Sequence, residues 1–267
     1  MNWKIIGESV RGAAHYRNGK PNQDAWDFIQ NDEGTMLAVA DGHGSSKHYR
    51  SDIGAKLAVQ AGLDLLKDFA LQHKETLDFR CVKQAADYLP SRLVQAWREA
   101  VDREDEGQTI EAKQRYAIYG TTLLATLISE HYALYLQIGD GDLLILTADG
   151  QLQRPLPKNA HLIANETYSL CEDKAIYHIE LNLQFFEHKS PPALIFLATD
   201  GYANSFPDSA NFEQAVQDFQ QQISTHGTEK IQNCLADWLN ETSEQGSGDD
   251  VTVAMLLPLK QDNEISL

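Results

Sequence analysis

The chain has 267 residues, 42% of them hydrophobic and spread from end to end, which is enough for a sizeable core and excludes intrinsic disorder. Its 22 basic and 39 acidic side chains give a formal charge of −17, which repels nucleic-acid phosphates and anionic membrane surfaces and draws in cations. Cys81, Cys171 and Cys234 lack the number and spacing of a disulfide framework or a zinc site, and residues 1–7 lack the pattern of a signal peptide, so a cytoplasmic, monomeric protein folded as one domain over residues 1–267 is expected.

In chain order, residues 36–40 form an apolar run that predicts a buried strand ending in Asp41-Gly42-His43-Gly44. Residues 51–73 carry Ile53, Leu57, Ala61, Leu65 and Phe69 at i, i+4 spacing, one face of a helix. Pro90 followed by Leu93, Trp97 and Val101 predicts a second helix with the proline in its first turn, and residues 103–116 read as a polar helix end and loop. Residues 123–128, 132–138 and 143–147 predict three strands of an antiparallel meander, with a hairpin turn at Asp149-Gly150. The irregular stretch from 151 to about 173 is expected to form a flap. A strand over 194–199 precedes helices over 211–224 and 228–242, the latter presenting Ile231, Leu235, Trp238 and Leu239 on one side. The turn Gly246-Ser247-Gly248 leads into a last strand over 251–257. This order of elements predicts an α+β fold with sheets between helical layers.

Three of these strands meet acidic residues at their ends: Asp41, Asp200-Gly201 and Asp249-Asp250. Carboxylates held at strand ends beside glycines can converge on an ion, and oxygen-rich, histidine-poor donors suit hard cations such as Mg²⁺ and Mn²⁺. Taken singly, each aspartate also has an ordinary reading as a turn residue.

The blocks Asn22-Gln23-Asp24-Ala25, Asp41-Gly42-His43-Gly44, Gly120-Thr121-Thr122, Gly139-Asp140-Gly141-Asp142, Thr199-Asp200-Gly201 and Gly248-Asp249-Asp250-Val251-Thr252-Val253 occur in an order that resembles the metal-dependent serine/threonine protein phosphatases of the 2C type. His15, residues 21–25, residues 165–170 and Asp200-Gly201-Tyr202 look most like a bacterial branch of that family. The resemblance implies a four-layer α-β-β-α sandwich with two Mn²⁺ or Mg²⁺ ions. Asp41 would bridge both ions, the Gly42 carbonyl would bind one, Asp200 and Asp249 would complete the other's shell, and Asp24 would contribute to the pair, with Asp140 at a third ion. The ions would activate water for attack on phosphorus, and His43 would protonate the leaving alkoxide, a contribution of about 10²- to 10⁴-fold. The implied partners are a phosphoserine or phosphothreonine protein and a cognate kinase.

The chain also departs from that pattern. Gln23 stands where many relatives carry glutamate, Gly19 where they carry a phosphate-gripping arginine, and Asp142 where a basic residue is common. Arg17, then Lys20, with His15 as a further choice, are the candidates to grip phosphate instead, arginine being the better fork for a dianion. Asp250 matches a position often held by asparagine and is expected to support by hydrogen bonding rather than to ligate, as are Thr121 and Thr122. Two rival readings stay open: a phosphatase-like binding module without turnover, and a hydrolase of another phosphate ester.

Overall fold

The computed structural model describes residues 3–74, 78–106, 112–157, 167–186 and 191–259. In chain order the elements are β1 (Trp3–Val10), α1 (Ala13–Asn18), β2 (Asp24–Asn31), β3 (Gly34–Asp41), α2 (Ser51–His73), α3 (Phe79–Ala86), α4 (Leu89–Glu104), α5 (Ala112–Arg115), β4 (Leu123–Ile128), β5 (Tyr132–Ile138), β6 (Asp142–Leu146), β7 (Leu152–Gln153), β8 (Glu180–Phe185), β9 (Leu194–Ala198), α6 (Asp200–Ala203), α7 (Ser209–His226), α8 (Thr228–Gln245) and β10 (Val251–Pro258). They build two five-stranded antiparallel sheets, ordered β1-β10-β9-β6-β7 and β2-β3-β4-β5-β8.

The central strands read as continuous apolar runs because both of their faces are covered. On β3, Met36, Ala38 and Ala40 point to the layer of α2, α3 and α4, while Leu37 and Val39 point to the other sheet. On β9, Leu194, Phe196 and Ala198 face α7 and α8, while Ile195 and Leu197 face inward. The result is the α-β-β-α sandwich, with three apolar layers between four structural ones. Trp97 on α4 is fully buried and donates its indole N–H to the Gly54 carbonyl of α2 at 3.1 Å, which binds the two helices of one outer layer together.

Several expectations change. The three central strands do not form one meander: β4 and β5 pair, but β6 crosses to the other sheet beside β9. An all-apolar strand buried on both faces carries no sign of which neighbour it takes, and the turn 139–141 lets the chain change sheets. The i, i+4 series of α2 lies on its buried side, with Ala61, Leu65 and Phe69 buried and Ile53 and Leu57 partly so, and the buried surface widens to Ala55, Ala58, Leu66 and Ala70. Trp238 is 36% exposed at the margin of α8, although Ile231, Leu235 and Leu239 are buried as expected. The Asp149-Gly150 hairpin is present, with Gly150 at φ 83° and its N–H donating to the Thr147 carbonyl. Of the expected flap, residues 158–166 lie outside the described residues; 151–157 contain only the two-residue β7, and 167–173 form a loop and turns. Among the described residues, no helix is long and apolar enough to cross a membrane.

Candidate functional site

The antiparallel register of β2 and β3 sets Asp24 directly opposite Asp41 at one end of their sheet. Like charges so placed are unfavourable across a ladder, so this pairing needs a reason other than stability. The second sheet brings its own acids to the same end: Asp200 follows β9 and opens α6, and Asp249 and Asp250 precede β10. Thr199 and Thr252, beside those acids, donate their hydroxyls to Asp24 Oδ2 at 2.8 and 2.7 Å, and so tie the two sheets together at the site. Asp140, in the turn between β5 and β6, lies near enough to Asp200 to repel it.

The carboxylates press on one another. Burial, then the charges of Asp24 and Asp200, hold Asp41 well above the usual carboxylate range. Burial, then Asp250, raise Asp24 despite its two hydroxyl donors. Asp200 is pushed up to about 6, by burial first and Asp140 next. The Asp41 and Asp200 side chains also interact directly, which lifts Asp41 further and offsets part of the rise at Asp200. Asp249 is the outward member, its side chain 54% exposed.

Asp250 supports rather than joins this group. Its two oxygens accept from the backbone N–H groups of Gly12 and Gln23, both at 2.6 Å, which pins the chain on either side of α1. Thr122 Oγ1 accepts from the Asp41 N–H at 3.0 Å and Thr121 Oγ1 donates to the Asp41 carbonyl at 2.8 Å, so both threonines fix the end of β3 as the sequence suggests. Gly42 is required by close packing, since a Cβ there would stand 2.6 Å from the carbonyl oxygens of both Gln23 and Ser51.

His43 packs tilted against His48, ring centres 4.8 Å apart. Burial, then His48 and Lys47, lower its pKa to about 4, so the ring is neutral at physiological pH. Gly120 is small for this pair, because a Cβ there would press into the His48 ring and stand 2.8 Å from His43 Cδ2. His48 is held in turn by the Ala117 carbonyl at its Nδ1.

A sequence profile described as Protein phosphatase 2C matches residues 11–240. The chain belongs to that family. No curated protein matches the chain. Similar solved structures include the catalytic domain of serine threonine protein phosphatase PstP in complex with two manganese ions, 21% identical, with TM-score 0.60 and coverage of 96% of this chain and 97% of that one. Stp1, a serine/threonine phosphatase from Staphylococcus aureus, is 15% identical, with TM-score 0.62 over 97% of this chain and 96% of that one. PppA, described as a regulatory component of T6SS in Pseudomonas aeruginosa, is 18% identical, with TM-score 0.60 over 96% of this chain and 98% of that one. At these identities the likeness is one of fold, and the fold is the 2C phosphatase sandwich.

Within that family frame, the departures acquire physical accounts. Asp142 pairs with the Arg154 guanidinium, which also stands 3.8 Å from Glu213 on α7, so the acid holds an arginine that links the chain beyond β7 to a helix. Gln23 is buried and directs its amide N–H₂ to Ser51 Oγ and the His43 carbonyl. Lys20 donates to the Gly44 carbonyl, beside His43, whereas the Arg17 guanidinium reaches the neighbourhood of Gly248, next to Asp249. Thr199 and Thr252 fall within the motif blocks, although nothing there points to their hydroxyl bonds to Asp24; Ser51 and His48 escape a motif reading, although His48 lies five residues after His43.

Proposed function

We propose that this 2C-family chain is a cytoplasmic, metal-dependent phosphatase that hydrolyses phosphoserine and phosphothreonine in proteins phosphorylated by a cognate kinase, with two Mn²⁺ or Mg²⁺ ions at the site and a third at Asp140. The observation that carries this reading is the gathering of Asp24, Asp41, Asp200 and Asp249, with Asp140 beside them, where burial first and the neighbouring carboxylates next raise the pKa values of Asp24, Asp41 and Asp200. Hard carboxylate oxygens and the Gly42 carbonyl suit these ions, and the repulsion records an excess of negative charge that divalent cations would neutralise.

Asp41 and the Gly42 carbonyl, Asp24, Asp200 and Asp249 are the residues to hold the ions. When bound, the ions supply a water of lowered pKa and charge neutralisation at phosphorus. His43 is the proton donor to the leaving alkoxide; its neutral ring takes up a proton when a phosphate dianion enters the site. Lys20, over Gly44, and Arg17, near Gly248, grip the phosphoryl oxygens from the side of α1.

The test is turnover of p-nitrophenyl phosphate and of a phosphopeptide with Mn²⁺, beside Asp200→Asn. Turnover by the wild type alone supports the proposal. Equal inactivity across metals favours a binding module, and preference for nucleotide or sugar phosphates favours another esterase.

A further inference from the structure

We propose that His15 is a nitrogen ligand to the ion that Asp249 helps to hold, which makes this centre one of mixed nitrogen and oxygen donors. The inference rests on the metal-dependent reading above and deepens it. His15 lies on α1 and is only 8% exposed. Its Nδ1 stands 2.9 Å from Asp250 Oδ2 and its Nε2 stands 3.7 Å from Asp249 Oδ1. The backbone is fixed as well, since the His15 carbonyl accepts from the Lys20 N–H at 3.0 Å and from Arg11 Nη2 at 2.9 Å.

The approach of Asp250 to Nδ1 is bent away from a full hydrogen bond, but its charge favours the tautomer with the proton on that nitrogen. Nε2 then keeps its lone pair on the side of Asp249. A ligating histidine commonly shows this arrangement, one ring nitrogen toward a carboxylate and the other toward the metal. Donors that share one ion at about 2.0–2.2 Å each stand roughly 3–4 Å apart, and the Nε2 to Oδ1 separation falls in that range.

Gln23 supplies an independent sign. Its Oε1 is buried without a hydrogen-bond partner, in a residue only 6% exposed, and its amide nitrogen is already committed to Ser51 and His43. The position that a Cβ would take on Gly44 lies 3.8 Å from Gln23 Oε1 and 4.0 Å from His15 Nε2, so the orphan oxygen and the imidazole nitrogen face the same space. A buried acceptor left unpaired costs free energy unless a ligand or ordered water satisfies it. Lys20 Nζ is 3.9 Å from that position but is held on the Gly44 carbonyl. An imidazole donor shifts preference from Mg²⁺ toward Mn²⁺ and admits borderline metals such as Co²⁺ and Zn²⁺.

The experiment loads chelator-stripped protein with Mn²⁺ and reads nitrogen coupling by electron spin-echo modulation. Coupling is expected in the wild type and in His43→Gln, and is lost in His15→Gln, with the dissociation constant for Mn²⁺ at this ion raised at least about tenfold by calorimetry. Should His15→Gln fail to fold, the same spectra of ¹⁵N-histidine-labelled wild type and His43→Gln decide the matter through the isotope change. Manganese bound without histidine coupling, or coupling that survives in folded His15→Gln, overturns the nitrogen ligand and leaves the phosphatase reading intact. No manganese uptake at all overturns both.

Discussion

The two ends of one sheet obey opposite rules. At one end, β2 and β3 join through a turn in which Asn31 Oδ1 accepts from the backbone N–H groups of Glu33 and Gly34, and β4 and β5 join through one in which Ser129 Oγ accepts from those of His131 and Tyr132. The turn N–H groups named here are met locally by short polar side chains. At the other end, β2 starts at Asp24 and β3 stops at Asp41, two carboxylates in register with two more from the neighbouring sheet. The same strands thus carry an end whose turns are capped locally and an end where buried acids repel one another. Stability explains the first, and the proposed binding of cations would explain the second.

Asp41→Asn should break that contrast most sharply. Turnover with Mn²⁺ should fall on the order of a thousandfold or more, while the metal-free fold gains about 1–2 kcal/mol as buried repulsion is removed. Initial rates and metal-free urea unfolding measure the two effects, and a less stable variant would show that no repulsion is stored. Replacing His43 with glutamine should lower kcat for a phosphopeptide by about 10²-fold or more. The loss should be smaller for p-nitrophenyl phosphate, whose leaving group needs no proton, and equal losses would remove His43 from the acid role.

A third expectation concerns Lys20→Gln, which should raise KM for the phosphopeptide about tenfold, as the loss of one charge-assisted contact does. Arg17→Gln tests the alternative grip, and a larger effect there would move the phosphate toward Gly248. Acidity offers a gentler probe. The Asp200 carboxyl titrates near 6 in the fold against 3.8 unfolded, so the folded state binds more protons between those values and metal-free stability must fall as pH rises across them. Calorimetry should show a drop in Tm on the order of 5 °C between pH 4 and pH 7, which saturating Mn²⁺ reverses. A flat profile would mean that the acids do not repel. The smallest effect belongs to the far end: Asn31→Ala should cost about 1 kcal/mol in urea and leave turnover and manganese binding unchanged.

The sequence was most legible where burial is complete. Strands β3, β4, β5, β6, β9 and β10 are interior members of their sheets, and each is visible as an apolar run. The strands that went unread, β1, β2, β7 and β8, are the edges, whose half-exposed residues, such as those of Glu180–Phe185, mix polar and apolar types without a clear period. α3 is short and lies between the two helices whose apolar spacing is plain. The acids of the site were legible because strand ends are defined by the runs before or after them. What they lean on was not: Asp24 depends on hydroxyls from residues 175 and 228 positions away, and His15 faces acids more than two hundred residues downstream.

The threonine clasp on Asp24 has a mechanical consequence. The seam between the two sheets is fastened at one of the acids that burial and its neighbours press upon, so parting the layers would also empty the cleft of any cations held there. Unfolding of the loaded protein should therefore proceed as one cooperative step, with neither sheet able to open ahead of the other.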